Sequence, residues 1–80
     1  MMLKPVTSEK AVKMIEIENV ILFETSLVST KQEIKKEIQN IFKVKVEKVR
    51  THIKANKKFA YVKLNNANPA IDVATKLGMI

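Results

Sequence analysis

The chain has 80 residues and a mass of 9.1 kDa, which is the size of one small domain, so we expect residues 1–80 to form a single domain. Hydrophobic residues make up 46% and charged residues 29%, with a net charge of +7, which describes a basic globular chain and excludes disordered and collagen-like classes. The absence of cysteine excludes disulfide frameworks, thiolate zinc sites and cysteine nucleophiles, and it fits a reducing compartment.

The first predicted elements are an edge strand and a short helix. Residues 1–6 are largely apolar, and Pro5 has no N–H to donate to a ladder, so this strand is expected at a sheet edge. A helix capped by Thr7 or Ser8 is expected to run through Glu16. Its buried residues are predicted at helical spacing: Ala11, Met14 and Ile15.

A two-sided strand and a capped helix follow. Residues 19–25 are β-branched and aromatic, with apolar side chains on both alternating faces, which predicts an internal strand covered on both sides. Thr30 and Glu33 have the spacing of a capping box, and the helix that they begin has an apolar stripe. The stripe consists of Ile34, Ile38, Ile41 and Phe42.

The next segment predicts a β-hairpin. Alternation begins at Val44 and shifts by one residue near Glu47 and Lys48, which indicates a β-bulge. Residues 54–57 are short enough for a hairpin loop, and residues 58–64 alternate as its returning strand. The apolar positions after the bulge are Val49, Thr51 and Ile53.

A last helix completes the predicted fold. Asn68 is expected to cap it, with Pro69 at its first position and Gly78 at its stop. The element order β-α-β-α-β-β-α, with a right-handed crossover between the second and third strands, leaves a gap that the hairpin's returning strand fills. The sequence therefore predicts an α+β fold with three α/β/α layers around a four-stranded antiparallel sheet of order 1-2-4-3. The inward residues of the last helix are predicted as Ile71, Ala74 and Leu77.

The positive charge is concentrated in one segment. Between Lys43 and Lys63 there are eight basic residues and one acid, a balance of 8 − 1 = +7, while the rest of the chain balances at 7 against 7. A concentrated excess indicates a surface for a polyanion, and nucleic acid is the predicted partner, with a merely solvated face as the alternative.

Cations and aromatic rings share one predicted face of the hairpin. Every second residue from Lys48 to Lys54 lies on one face, and Phe59, Tyr61 and Lys63 lie on the matching face of the next strand. Cations neutralise phosphates, and rings or guanidinium groups stack on unpaired bases. Alternatively, Phe59 and Tyr61 pack beneath the first helix, because a three-layer fold needs apolar residues on its second face.

Residues 57–64 also approach the RNA-recognition-motif signature, which they miss at Lys58, in place of glycine, and at Leu64, in place of the final aromatic. A free-standing, single-stranded RNA-binding module of this type is the second functional hypothesis. A pure protein-interaction domain is the third.

Catalytic chemistry is poorly represented. His52 and Asp72 are the single histidine and aspartate, and no acid is placed to orient His52 as a base. Gly78 is the single glycine, so no glycine-rich phosphate loop exists. We therefore predict no enzyme, no cofactor and no metal site. No apolar run approaches the roughly 18 residues of a membrane span, so we expect a cytoplasmic protein without a membrane partner.

Four stretches carry a family resemblance: PVTSEKA at 5–11, TKQEIK at 30–35, IFKVKVEKVRT at 41–51 and AYVKL at 60–64. In this order they resemble the N-terminal segment, central helix start, helix-to-strand run and last strand of the universal large-subunit ribosomal proteins beside the polypeptide exit tunnel, the twenty-third in bacterial numbering. Bacterial members have a long loop where this chain has the short turn 54–57, so the chain is similar to the archaeal type.

The resemblance implies a structural, non-catalytic role in the cytoplasmic ribosome, on large-subunit ribosomal RNA beside neighbouring ribosomal proteins. It also implies a dock for nascent-chain factors, including the signal recognition particle, with Glu9 as the docking carboxylate; a first-turn acid also complements a helix dipole. Resemblance and charge pattern together predict these rRNA-binding residues: Ser8, Lys10, Lys13, Lys45, Lys48, Arg50, His52, Lys54, Lys57, Lys58, Tyr61 and Lys63.

Overall fold

The computed structural model describes residues 3–78, so Met1 and Met2 of the predicted first strand lie outside the described residues. Within residues 3–78 the protein has three helices and a four-stranded antiparallel sheet of order β1-β2-β4-β3, as predicted. The strands are β1 (Leu3–Pro5), β2 (Val20–Thr25), β3 (Val46–Lys54) and β4 (Lys57–Leu64), and the helices are α1 (Glu9–Glu18), α2 (Lys31–Phe42) and α3 (Ala70–Lys76).

Strand β2 is internal and buries both of its faces, which confirms the two-sided prediction and the three layers. It pairs with β1 on one side and β4 on the other. Ile21 and Phe23 lie in the main core with residues of α2 and α3. Val20 belongs to a second cluster with Ala11 and Met14 of α1, on the opposite face. The alternation of β2 therefore separates two hydrophobic clusters.

Helix α1 covers only part of its side of the sheet. The half-buried side chains packed against its cluster extend from Val6 and Leu22 to Tyr61 of β4. On β3, Lys48 and Arg50 of the same face are exposed. A helix is about 10 Å wide and strands are about 4.8 Å apart, so one helix covers about two strands. The β3–β4 half of this face is therefore open.

The starts of α1 and α2 follow the predicted capping chemistry. Ser8 caps α1 by accepting a hydrogen bond from the Ala11 N–H at 3.2 Å. Thr30 and Glu33 form the capping box of α2, with bonds of 3.1 and 3.0 Å. The hydrogen bond from the Thr30 backbone N–H holds the pKa of Glu33 below its usual value. Helix α1 continues to Glu18, two residues beyond the predicted end.

The β3–β4 hairpin also follows the sequence prediction. Its two-residue turn consists of Ala55 and Asn56, both with positive φ (52° and 62°), and this mirror-image turn matches the twist of the paired strands. The register shifts between Val46 and Lys48, which confirms the bulge. Strand β3 begins at Val46 rather than Val44.

Predictions for the last helix were wrong in two respects. Pro69, not Asn68, is at the N-cap, and the Asn68 side-chain oxygen instead accepts a hydrogen bond from the Lys45 backbone N–H at 2.9 Å. Ile71, predicted to point inward, is 40% exposed. The inward stripe follows i, i+3, i+4 and i+7 spacing from the first helical residue, so Ile71 lies beside it: Ala70, Val73, Ala74 and the partly buried Leu77.

Two further apolar residues are exposed against prediction. Ile41 is 52% exposed because Phe42, the next residue of α2, takes the position packed against the core. Ile53 is 60% exposed and lies one residue before the end of β3, outside both hydrophobic clusters.

Asn19, predicted as the first strand residue, is instead the C-cap of α1 in the left-handed conformation (φ 59°). Its Nδ2 lies 3.1 to 3.2 Å from the carbonyl oxygens of Leu64, Asn65 and Asn68. Its Oδ1 accepts a 2.6 Å hydrogen bond from the Ala70 N–H, one of the first-turn N–H groups that have no acceptor within α3. Asn19 thus joins the end of α1, the end of β4 and the start of α3.

Replacing Phe23 tests the internal position of β2. Phe23 is 1% exposed, so Phe23→Ala is expected to lower the free energy of unfolding by about 3 to 5 kcal/mol in chemical denaturation. Val28→Ala is the control: Val28 is 85% exposed, and its loss is expected to stay below about 0.5 kcal/mol. A loss below about 1 kcal/mol for Phe23→Ala would contradict the buried strand.

Replacing Asn19 tests its bridging amide. Asn19→Gly keeps the left-handed backbone accessible but removes the side-chain bonds, so we expect a loss of about 1 to 3 kcal/mol in unfolding free energy. Asn19→Asp is expected to lose at least as much, because an oxygen then faces the carbonyls. Asn66→Gly, at an exposed position, is the matched control. Equal denaturation midpoints for Asn19→Gly and Asn66→Gly would show that the Asn19 side-chain amide does not contribute to stability.

Candidate nucleic-acid interface

The open half of the sheet is built from paired residues of β3 and β4. Residues directly opposite each other in an antiparallel ladder share a face, and the bulge places the even-numbered residues of β3 on this one. We call these six side chains the open sheet face: Lys48 opposite Lys63, Arg50 opposite Tyr61, and His52 opposite Phe59.

Arg50 and Tyr61 form a stacked pair at the centre of this face. The guanidinium carbon of Arg50 lies 5.6 Å from the centre of the Tyr61 ring, a cation–π contact. Tyr61 is half-buried and also packs against the α1 cluster, whereas Arg50 is exposed. Tyr61 therefore packs beneath α1, as the alternative interpretation of the sequence predicted. The planar group that remains accessible to a ligand is the Arg50 guanidinium.

Phe59 differs from Tyr61. It is half-buried opposite His52, but it belongs to neither hydrophobic cluster of the described residues. Phe59 and Tyr61, which alternate on the same face of β4, thus have different surroundings.

Like charges face each other across the hairpin. Lys48 is directly opposite Lys63, and Lys54 is directly opposite Lys57. Such pairs destabilise a sheet relative to neutral pairs. Native proteins retain destabilising residue pairs mainly at functional sites. A bound polyanion would relieve the repulsion between these lysines. The arrangement favours an anionic ligand over a merely solvated face.

Helix α1 forms one wall of a groove along the open sheet face. Lys10, Met14 and Glu18 succeed each other at i, i+4 spacing and line the groove together with Arg50 and Tyr61. The structure therefore brings the predicted Lys10 to the cations of the hairpin. Glu18 is an acid in this groove, and no sequence signal distinguished it from other helix carboxylates.

Four predicted rRNA-binding residues lie elsewhere. Ser8 caps α1, and Lys13 is exposed on α1 but does not line the groove. Lys45 is exposed just before β3. Lys58 projects from the opposite face of β4, where its ammonium group donates a hydrogen bond to the Ser29 carbonyl. The remaining predicted residues share the open side: Lys10, Lys48, Arg50, His52, Lys54, Lys57, Tyr61 and Lys63.

A second groove lies at the outer edge of the start of β3, and no prediction from the sequence included it. It lies between α2 and β3, and Lys48 lines it as well as the first groove. The available signal was the i, i+4 spacing of Lys31 and Lys35, which places both lysines on one side of α2. The lining residues are Lys31, Gln32, Lys35, Glu47, Lys48 and Val49.

Glu9, the predicted docking carboxylate, is exposed at the first position of α1. Among residues 3–78, no three side chains of the types that ligate metals are grouped into a metal site. The helices described for the chain are too short or too polar to cross a membrane.

Comparisons with known proteins identify the family. The family described as ribosomal protein L23 matches residues 1–71. Large ribosomal subunit protein uL23 of Saccharomyces cerevisiae is 38% identical over 78 residues, which cover 96% of this chain and 55% of that protein, so the chain spans about half the length of this relative. Because the family match covers most of the chain and the identity extends over nearly all of it, the chain belongs to the ribosomal protein L23 family.

Proposed function

We propose that the protein is a structural constituent of the large ribosomal subunit, that it binds large-subunit ribosomal RNA, and that it catalyses no reaction. The observation that carries the proposal is the open sheet face, where cations from β3 and β4 lie together in a chain that belongs to a ribosomal protein family. Neighbouring ribosomal proteins are its further partners, and its place is in the cytoplasmic ribosome, near the polypeptide exit tunnel.

The open sheet face suits recognition by charge and shape. Lysine and arginine side chains bind phosphates irrespective of sequence. If about four to six cations meet phosphates, the logarithm of the association constant falls by roughly 3 to 5 for each unit of log salt concentration. Arg50 adds a flat guanidinium on which an unpaired base can stack. This combination fits a folded RNA that offers a backbone together with a few unstacked bases.

The single-stranded RNA module is the second candidate, and the aromatic residues of β4 favour it. Such modules stack bases directly on exposed rings. Here Arg50 lies over the Tyr61 ring, and that residue also packs against the α1 cluster. The geometry therefore supports folded ribosomal RNA better than a short single strand.

The RNA proposal is tested with an in vitro transcript of large-subunit ribosomal RNA and a short single-stranded RNA. We expect tighter binding to the transcript and a weakening of tenfold or more for Arg50→Glu/Lys63→Glu at about 0.1 M salt, because roughly two phosphate contacts are lost. Lys36→Glu/Lys76→Glu changes the net charge equally at exposed positions that line neither groove, and it is expected to bind nearly as the native protein does.

The unfolding free energy of Arg50→Glu/Lys63→Glu separates lost binding from lost folding, and the single variant Lys63→Glu isolates the effect of the charge pair. Lys63→Glu replaces a like-charge pair with Lys48 by an opposite-charge pair, so its unfolding free energy is expected to stay equal or rise by about 0.2 to 1 kcal/mol.

Preference for the short strand would favour the recognition-type module, and binding to neither RNA would favour a protein-interaction domain. Equal weakening of RNA binding in Arg50→Glu/Lys63→Glu and in the control variant would refute the proposal that the open sheet face is the RNA-binding surface.

We also propose that the exposed end of α1 is a dock for nascent-chain factors, including the signal recognition particle, with Glu9 as a contact. Glu9 is exposed at the first helical position, and its segment resembles the docking segment of the family. Its contribution to the helix through the dipole is only about 0.3 to 1 kcal/mol. The side chain is therefore accessible to a basic partner at little cost to the fold.

Glu9→Ala is expected to leave the melting temperature and assembly into the large subunit nearly unchanged while weakening factor binding to assembled ribosomes. A charged contact of this kind contributes about 1.5 to 3 kcal/mol when desolvated and much less at a rim. Glu16→Ala, at an exposed position later in α1, is the matched control. Unchanged factor affinity together with a clearly lowered melting temperature would assign Glu9 to the helix alone.

A further inference from the structure

We infer that the RNA-binding path does not stop at the open sheet face but continues over the free edge of β3 into the second groove, where Lys31 and Lys35 bind backbone phosphates. This inference rests on the proposed function, because the same RNA occupies both grooves. Neither lysine lies in the basic segment between Lys43 and Lys63.

The two lysines project from α2 toward the bulged start of β3. Lys31 is the first residue of α2, and Lys35 follows one helical turn later, so both lie on one side of the helix. They line the groove opposite the exposed Glu47 and Lys48. Three lysine side chains and Gln32 thus line one groove that contains a single acidic residue.

Lys48 connects the two grooves. It lines the first groove with Arg50, Tyr61 and Lys63, and it lines the second with Lys31 and Lys35. The bulge between Val46 and Lys48 produces this position, since bulges bend the strand and re-aim side chains at sheet edges. Because β3 is the last strand of the sheet, no further strand of the described chain separates the grooves. A chain of phosphates can therefore pass from one groove to the other at Lys48.

The chemistry of the second groove selects phosphate rather than base. Its lining contains no aromatic or guanidinium group on which a base could stack. Lysine ammonium groups are point charges that bind phosphate without a planar geometry. The groove therefore fits the sugar-phosphate backbone, paired or unpaired, next to the segment held at Arg50. Continuity with the open sheet face favours RNA over an acidic protein segment.

The test measures binding of Lys31→Glu/Lys35→Glu to the large-subunit rRNA transcript. Losing two contacts should weaken binding about 25- to 60-fold at about 0.1 M salt and make the log–log salt slope shallower by about 1.4 to 1.8. Lys36→Glu/Lys76→Glu carries the same change of charge outside the groove and serves as control. Glu47→Gln removes the one acid of the groove and should strengthen binding several-fold.

Folding does not confound this comparison. Lys31→Glu places an acid in the first turn of α2, where the helix dipole favours it, and circular dichroism should show an intact helix. If the native protein binds the transcript and Lys31→Glu/Lys35→Glu binds it as tightly as the control variant does, the second groove does not bind RNA. The proposal for the open sheet face is unaffected by that result. If the variant binds the transcript normally but associates more weakly with assembled subunits, the ligand of the second groove is a neighbouring protein and not RNA. If the native protein does not bind the transcript, the proposed function itself fails.

Discussion

The side-chain amide of Asn19 connects the end of α1, the end of β4 and the start of α3, and so fixes where α1 ends beside the open sheet face. Its left-handed backbone ends α1, its nitrogen lies against carbonyl oxygens at and just after the end of β4, and its oxygen accepts a hydrogen bond from the first N–H of α3. These bonds set the point at which α1 stops and β2 begins. Because α1 is fixed there, it packs over β2 and reaches only as far as Tyr61. An amide suits this position since it donates and accepts in one rigid plane, and asparagine tolerates positive φ better than most residues.

The geometry of layers explains why the open half of the sheet is polar. Helices α2 and α3 together cover one face of the sheet, whereas α1 alone covers the other. The strands left without a helix expose alternate residues to water, and these are mostly lysine, arginine and histidine. Placing cations there is expected to cost stability, because the like charges of Lys48 and Lys63 lie directly opposite each other. The cost is acceptable because the main core lies on the other face, with residues such as Phe23 and Val62 fully enclosed.

The proposed binding surface extends beyond the charged segment of the sequence. Tertiary contacts add Lys10 of α1 to one side of the hairpin and two lysines of α2 to its outer edge. They also remove Lys58, because β-strand alternation sends its ammonium group to the opposite face and to the Ser29 carbonyl. A linear charge count therefore points to the hairpin that carries most of the proposed surface, whereas the cations contributed by α1 and α2 come only from tertiary contacts.

Local signals in the sequence determined most of the fold. The Thr30–Glu33 capping box, the apolar alternation of β2 and the phase change at the bulge each depend on residues close in sequence, and all three hold in the structure. Only the tertiary structure decided which apolar side chains remain in water, because exposure of Ile41 and Ile53 depends on what packs opposite them. It also decided the role of Asn19, whose partner Ala70 is 51 residues away, and the meeting of Lys48 with Lys31 and Lys35. Such long-range placements leave no periodic or short-range pattern in one sequence, since they arise only when helices and strands pack.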